Sequence, residues 1–217
     1  MEVHGSTVND RATTRQSQSP RMLVNSRRST LRYLSDPKPA CLRATSVHLQ
    51  PIEHLTLTIH IRRAHAADAA LILRFITELA VYEKAEHEVI ASVEDVETSL
   101  FSATATAKAL ICEMDGEPIG FCVYFHSYST WLGKHGLYLE DLYVSPAARG
   151  SGAGKRMLRH LAQIACESGC GRFEWSVLDW NEPAIGFYEA IGASAQSEWV
   201  RYRLAGDALK AFAEGVE

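Results

Sequence analysis

The chain contains, at residues 139–158, the run Leu139-Glu-Asp-Leu-Tyr-Val-Ser-Pro-Ala-Ala-Arg149-Gly-Ser-Gly-Ala-Gly154-Lys-Arg-Met-Leu158. An apolar, β-branched and aromatic segment ends at Pro146, a glycine-dense turn opens at Arg149, and an amphipathic helix follows. Such an arrangement makes an anion site, because glycines let backbone N–H groups close on a ligand and the helix dipole favours negative charge. The run therefore predicts a site for a phosphate-bearing ligand.

Two common phosphate-binding loops do not fit this glycine spacing. A nucleoside-triphosphate loop needs a Lys-Ser/Thr pair after its last glycine, whereas Lys155 is followed by Arg156. A dinucleotide fingerprint needs G-x-G-x-x-G, whereas the glycines at 150, 152 and 154 follow G-x-G-x-G. The remaining pattern, R-x-x-G-x-G from Arg149 to Gly154, resembles the acetyl-coenzyme A pyrophosphate loop of the GNAT superfamily of N-acetyltransferases.

Hydrophobic periodicity predicts a single mixed α/β domain over residues 55–217. Strand patterns occupy residues 55–62, 109–114, 119–125, 137–144, 172–178 and 197–204. Helical patterns occupy residues 69–83, 93–102, 152–168, 182–191 and 206–214. Asp115-Gly116 predicts a hairpin between the second and third strands, and Asp68 is placed to cap the first helix. The order β-α-α-β-β-β-α-β-α-β predicts a mixed central sheet flanked by helices.

That order is also the order of the GNAT fold, and further motifs fall where the family has them. The run from Asn181 to Ala193 looks like the second cofactor motif, N-x-x-A-x-x-F-Y-x-x-x-G-A. Four shorter runs resemble the spermidine/spermine (diamine) acetyltransferase branch: Glu78-Leu-Ala-Val-Tyr82-Glu83-Lys, Tyr128-Ser-Thr-Trp131-Leu-Gly-Lys134, Tyr138-Leu-Glu140-Asp141 and Asp179-Trp-Asn181. The resemblance covers about residues 58–213.

One departure from that branch concerns the acceptor. Polyamine-acetylating members tend to carry Asp-Pro before the tryptophan, whereas this chain has Ser129-Thr130 before Trp131. The Ser-Thr-Trp form, together with the tail that begins at Glu198-Trp199, looks more like the branch that acetylates thialysine or ornithine-type amines. The resemblance therefore implies a small primary amine of the thialysine, ornithine or diamine type, and it puts spermidine itself in doubt.

The resemblance also implies acetyl-coenzyme A as co-substrate. Backbone N–H groups of three strand residues would hold its pantetheine arm, namely Leu142, Tyr143 and Val144. The turn would bind the pyrophosphate mostly through main-chain donors, from Arg149 through Gly150, Ser151, Gly152, Ala153 and Gly154 to Lys155. The second motif adds Asn181, which would also cap its helix, and with it Ala184, Phe187 and Tyr188.

The implied reaction is direct attack of the amine on the thioester in a ternary complex. An alkylamine has a pKa of about 10.4, so at neutral pH it arrives as an ammonium that must lose a proton. Glu140 is the candidate general base, directly or through a water, and Tyr188 is the candidate general acid for the departing thiolate. On a regular strand Glu140 and Asp141 point to opposite faces, so we expect only Glu140 to face the amine.

Recognition of the amine would involve Tyr82, Glu83 and Trp131 in addition to Glu140. A carboxylate pairs with a second ammonium, and a tryptophan ring lies against an aliphatic chain or a cation. The alternative for Glu83 is an exposed helix end.

Charge and cysteine usage narrow the class of protein. Residues 1–54 hold eight Arg/Lys against four Asp/Glu, so they carry about +4 and the remainder about −8 of the net −4. An acidic domain favours a cationic partner and argues against nucleic acid. The five cysteines form no zinc or disulfide spacing, so we expect no metal and a cytoplasmic location. No run of about 18 apolar residues exists, so no membrane association is expected.

Residues 1–54 are rich in Ser, Thr, Arg and Gln and show no sustained periodicity, which predicts a disordered N-terminal extension. An organelle transit peptide and an unused upstream start codon are the alternatives. Members of the branch that the chain resembles are homodimers with sites near the subunit contact. The resemblance therefore implies a homodimer, with the predicted strand around Trp199 at the contact.

Two other functions stay open at this point. The same fold serves protein or peptide lysine N-acetyltransferases, and an acidic site suits lysine side chains too. A non-catalytic acetyl-coenzyme A sensor is the second alternative. A pure binder needs neither Glu140 nor Tyr188, so the presence of both favours an enzyme.

Overall fold

The computed structural model describes residues 57–215, and the predicted N-terminal extension lies outside them. Five strands form one sheet in sequential order: β1 Ile59–Arg63, β2 Lys108–Met114, β3 Glu117–Ser129, β4 Lys134–Val144 and β5 Phe173–Trp175. Neighbours pair antiparallel from β1 to β4, and β4 pairs parallel with β5. The predicted mixed sheet flanked by helices is therefore confirmed.

Five α-helices flank the sheet: α1 Ala69–Glu83, α2 Val93–Phe101, α3 Ala153–Glu167, α4 Glu182–Ala190 and α5 Gly206–Ala213. Short 3₁₀ turns precede α1, follow it, and precede the glycine turn, at Ala66–Asp68, Glu86–Glu88 and Pro146–Ala148. The predicted first helix matches α1 to the residue, because its apolar positions recur at helical spacing without interruption.

The two faces of the sheet carry separate hydrophobic cores. On one face α3 packs against β2, β3 and β4, with Leu137, Met157 and Leu161 inaccessible to solvent. On the other face α1 and α2 cover the sheet through Phe75 and Val96. Burial of each such large side chain contributes about 1.5–3 kcal/mol to the free energy of unfolding, so both layers of helices stabilise the sheet.

An irregularity in β4 reverses the alternation of its side chains. Val123 of β3 pairs with Asp141, but Tyr124 pairs with Leu139, which leaves Glu140 as an extra residue. A bulge of this kind places three residues where the regular strand has two. Leu139 and Leu142 consequently both pack on the α3 face. The expectation that only Glu140 of this pair faces the site was wrong, because the strand is not regular here and both Glu140 and Asp141 line the same cleft.

Two predicted strands differ from the structure. β5 ends at Trp175, three residues earlier than its pattern indicates, because β4 diverges from it after Leu139. Residues 197–204 form no strand, and Trp199, Val200 and Tyr202 are exposed there. A strand needs a ladder partner for its backbone groups, and within residues 57–215 none lies beside this segment.

Asp68 stabilises the start of α1 in a different way from the one predicted. Its carboxylate accepts two hydrogen bonds from the Arg62 guanidinium, at 2.7 and 2.9 Å, and a third from the His65 backbone N–H at 2.9 Å. It makes no side-chain cap to α1 itself. Within the described residues, no helix is both long and apolar enough to cross a bilayer.

Candidate active site

The principal cleft opens where β4 and β5 separate. The two strands pair only from Leu137 with Phe173 to Leu139 with Trp175. β4 continues to Val144, so within the described chain its last five residues have no strand partner on the β5 side. The cleft has a volume of about 590 Å³ and is bounded by α1, β4, the glycine turn, α3 and α4.

Most of the predicted cofactor residues line this cleft. They are Leu142, Tyr143, Val144, Arg149, Gly150, Gly152, Ala153, Gly154, Lys155, Asn181, Ala184, Phe187 and Tyr188. Ser151 does not line it. Its hydroxyl donates to the Ala148 carbonyl at 2.7 Å and so stabilises the glycine turn.

The glycine turn leaves the start of α3 open to a ligand. Gly150 and Gly152 have φ of 81° and 85°, a left-handed conformation that favours glycine. Gly152 occupies the N-cap of α3 and has no side chain to cap it, while the Ala153 N–H donates to Ser151 Oγ at 3.4 Å. Since the first N–H groups of a helix have no intrahelical partner, this 15-residue helix presents donors and its positive dipole end to the cleft.

The turn and the end of α1 are joined by Arg149. Its Nε donates to the Val144 carbonyl at 3.3 Å, and its guanidinium lies 4.8 Å from the centre of the Tyr82 ring. Arg149 and Lys155 are the positive side chains of this end of the cleft. Backbone donors, a helix N-terminus and two cations suit a pyrophosphate, so the residues present fit coenzyme A.

Three carboxylates meet at the other end of the cleft, those of Glu83, Glu140 and Asp141. Burial raises the pKa of Asp141 to about 6, and the charges of Glu140 and then Glu83 add to the effect. Glu83 is the last residue of α1 and is exposed, as its alternative predicted, yet partial desolvation raises its pKa. Three carboxylates that line one end of a cleft form a site for a cation. Asp141 was missed as a site residue, because the bulge that brings it here leaves no mark in the sequence.

Tyr188 lines the cleft from α4. Its ring packs edge-on against Trp175, with centres 5.1 Å apart, and against Phe187 at 5.6 Å. Burial raises the pKa of the Tyr188 hydroxyl, with a smaller contribution from Tyr82, so the group keeps its proton at neutral pH. The cleft is also lined by Ser176, Val177 and Leu178, which the sequence pattern predicted only as part of a strand.

Tyr82 closes the cleft from the α1 side. Its hydroxyl donates to Asn181 Oδ1 at 3.2 Å, and its ring lies 5.9 Å from that of Trp180. Asn181 stands at the N-cap of α4 but makes no side-chain cap, so that prediction was wrong. The end of α1 is thereby connected to the start of α4 across the cleft.

Trp131 lies apart from the other predicted amine-binding residues. It belongs to the turn between β3 and β4, is 86% exposed, and is not among the residues that line the cleft. Its ring is 6.2 Å from that of Trp199. The structure thus brings Tyr82, Glu83 and Glu140 together and leaves Trp131 on the outer surface.

The profile of the Acetyltransferase (GNAT) family matches residues 76–193, so the chain belongs to this family and is an acetyl-coenzyme A-dependent N-acetyltransferase. It is 39% identical over 166 residues to the thialysine N-epsilon-acetyltransferase of Bos taurus, covering 71% of this chain and 97% of that protein. It is 46% identical over 92 residues to an L-ornithine N5-acetyltransferase of Arabidopsis thaliana, covering 42% of this chain and 40% of that protein.

Among solved structures, an integron cassette protein from the mobile metagenome of V. cholerae superposes with a TM-score of 0.62 at 29% identity. The match covers 72% of this chain and 98% of that one. The predicted GNAT fold and the resemblance to the thialysine branch are confirmed by these comparisons.

Proposed function

We propose that this protein transfers the acetyl group of acetyl-coenzyme A to a terminal primary amine of a small molecule of the thialysine, ornithine or diamine type. The observation that carries the proposal is the cleft itself, with an open strand edge and a helix N-terminus at one end and three carboxylates at the other. The names of its relatives, a thialysine and an ornithine acetyltransferase, support the same choice of acceptor.

The coenzyme would be bound mainly by backbone groups. Leu142, Tyr143 and Val144 offer the unpaired edge of β4, to which an extended pantetheine arm adds like a strand. Residues 149–155 offer N–H donors to the pyrophosphate, with Arg149 and Lys155 adding charge. Bound acetyl-coenzyme A supplies the thioester from which the acetyl group is transferred.

The acidic end would bind the amine and remove its proton. Glu140 is the proposed general base, directly or through one water, because it lines the cleft at the point where the strands diverge. Asp141 and Glu83 would pair with ammonium groups, and a bound cation would return the pKa of Asp141 towards its ordinary value. Tyr82 would form the side of the cleft next to these carboxylates.

Tyr188 is the proposed general acid. Its raised pKa keeps a proton on the hydroxyl, and a position in the lining of the cleft would allow it to pass that proton to a departing thiolate. General acid catalysis contributes about 10²–10⁴ in rate.

The experiment that tests the proposal is turnover of acetyl-coenzyme A against a panel of amines, with release of free thiol as the readout. The panel contains thialysine, lysine, ornithine, 1,3-diaminopropane, putrescine, spermidine and a lysine peptide. Preference for a short amine is the expected result. Preference for the peptide would indicate a protein acetyltransferase, and tight coenzyme binding with no turnover would indicate a sensor.

We further infer a homodimer in the cytoplasm, without nucleic acid or membrane partners. The support for self-association is the exposed aromatic pair Trp131 and Trp199, which are 86% and 67% exposed, and Tyr202 of the same C-terminal segment is 92% exposed. Burial of such a surface against a second copy would shield it from water. Trp131 would then act at the subunit contact. Sedimentation of Trp199→Arg against the unmodified protein tests this, and an unchanged monomeric mass for both would contradict it.

A further inference from the structure

Arg201 connects the irregular C-terminal segment to the sheet beside the cleft. Its Nη2 donates hydrogen bonds to the Tyr138 hydroxyl and to Ser176 Oγ. These two oxygens are themselves 2.8 Å apart. Tyr138 belongs to β4, and Ser176 is the first residue after β5. One guanidinium therefore spans both strands that border the site.

The position of this guanidinium follows from the register of the two strands. Leu139 and Trp175 are the last residues that pair, so Glu140 and Ser176 are the first residues on either side of the opening. Both line the cleft. Arg201 does not itself line the cleft, but Ser176 accepts from it, so the positive charge lies next to a residue at the apex of the cleft.

Arg201 has no acidic partner to neutralise it. Within residues 57–215 no carboxylate forms an ion pair with it, and its hydrogen bonds go to two neutral hydroxyls. A guanidinium carries five N–H donors in a planar fork that matches a carboxylate. The cations that line the cleft, Arg149 and Lys155, belong to the glycine turn. Beside the three carboxylates of the amine end there is thus an arginine that has hydroxyl partners but no acidic one.

We propose that Arg201 binds the α-carboxylate of an amino acid whose terminal side-chain amine is acetylated. The inference rests on the proposed function and selects a zwitterionic amino acid over a diamine or polyamine, which has no group for Arg201 to bind. Tyr138, which accepts from Arg201, precedes Glu140 by only two residues on β4, so we expect the distance from the guanidinium to Glu140 to be within the reach of a lysine-type side chain. An acceptor of this length contacts Arg201 and Glu140 at once.

Two acceptors that differ only by the carboxylate test the proposal. Thialysine carries it, and bis(2-aminoethyl) sulfide is the same molecule without it. We expect the unmodified protein to prefer thialysine by about 10–100-fold in kcat/KM, the range of a charge-assisted pair. In Arg201→Gln the ratio of the two kcat/KM values should fall to about one, because KM for thialysine rises while KM for the other acceptor stays the same.

Arg203→Gln is the matched control, because Arg203 is an exposed arginine of the same segment without the Tyr138 and Ser176 contacts. It should retain the full ratio. Tyr138→Phe removes one of the oxygens that hold the guanidinium and should lower the ratio part of the way. Arg201→Lys keeps the positive charge but not the planar guanidinium, so it should also retain part of the ratio.

The possible results separate this proposal from the proposed function. An unchanged ratio in Arg201→Gln, or equal use of both acceptors by the unmodified protein, would overturn the role of Arg201 while leaving an amine acetyltransferase. Turnover of neither acceptor nor of any other small amine would instead overturn the proposed function, and this inference with it.

Discussion

The two ends of the cleft are built by different means. The proposed coenzyme end comes mainly from one continuous stretch, residues 142–155, to which α4 and its start add Asn181, Ala184 and Phe187, and it offers mainly backbone groups. The amine end is assembled from side chains that are far apart in sequence, such as Glu83 on α1, Asp141 on β4 and Ser176 after β5. A backbone site tolerates many side chains but depends on φ and ψ. A side-chain site depends on charge and placement, so it can change its ligand without a change of fold.

The largest expected effect concerns Tyr188. Tyr188→Phe should lower kcat by about 10²-fold or more, because the hydroxyl proposed to donate a proton is lost while the ring packing on Trp175 remains. Affinity for coenzyme A, measured by calorimetry, should change little. The control Tyr202→Phe makes the same chemical change at a residue that is 92% exposed. An unchanged kcat in Tyr188→Phe would remove this residue from the mechanism.

A second prediction tests the amine end through stability. The folded-state pKa of Asp141 is raised to about 6, so above that pH its ionisation destabilises the folded protein, whereas well below the ordinary value both states are protonated. Asp141→Asn should therefore raise the free energy of unfolding at pH 7.5 by about 1–3 kcal/mol. Most of this gain should disappear at pH 4.

Urea unfolding of the unliganded protein at the two pH values measures that difference. Asp179→Asn alters an exposed carboxylate of the loop before α4 and should change stability by less than about 0.5 kcal/mol. Turnover of the amine should fall in Asp141→Asn, because a carboxylate that binds the ammonium is lost. A variant that is less stable at pH 7.5 than the unmodified protein would show that the Asp141 charge is not destabilising.

The coenzyme end should respond to backbone geometry rather than to charge. Gly152→Ala places an L residue at a φ of 85° at the start of α3 and should raise KM for acetyl-coenzyme A by about tenfold. Gly116→Ala is matched to it, with a φ of 87° in the β2–β3 turn and no atom within 4 Å of the added methyl group at either site. Both variants should lose about 1–2 kcal/mol of stability. An equal rise in KM in both would assign the effect to strain alone.

The smallest expected effect concerns charge at the coenzyme end. Lys155→Ala should raise KM for acetyl-coenzyme A by about threefold at low salt, and the difference should shrink as salt increases, because an exposed charge is screened. Arg159→Ala removes an exposed cation one turn further along α3 and should not alter KM. A loss of a hundredfold or more in Lys155→Ala would mean that the side chain, and not the backbone, binds the pyrophosphate.

The same contrast explains what could be predicted from the sequence. The strand, glycine turn and helix of the coenzyme end are local features, and α1 was predicted to the residue because its periodicity is uninterrupted. The bulge at Glu140 depends on pairing with β3, which local pattern does not specify, so the placement of Asp141 was missed. Residues 197–204 alternate like a strand, but a strand also requires a partner. Arg201 was missed for the same reason, since only tertiary contacts bring it to Tyr138.

The open edge of β4 also has a consequence for solubility. In the unliganded protein the stretch from Glu140 to Val144 is a short unpaired strand edge, and such edges template association with strands of other chains. Charged residues at an edge oppose this pairing, and Glu140 and Asp141 stand at the start of the open stretch. The two carboxylates proposed to act on the amine would therefore also oppose aggregation of the protein without coenzyme. A bound pantetheine arm would have the same effect because it covers the strand edge.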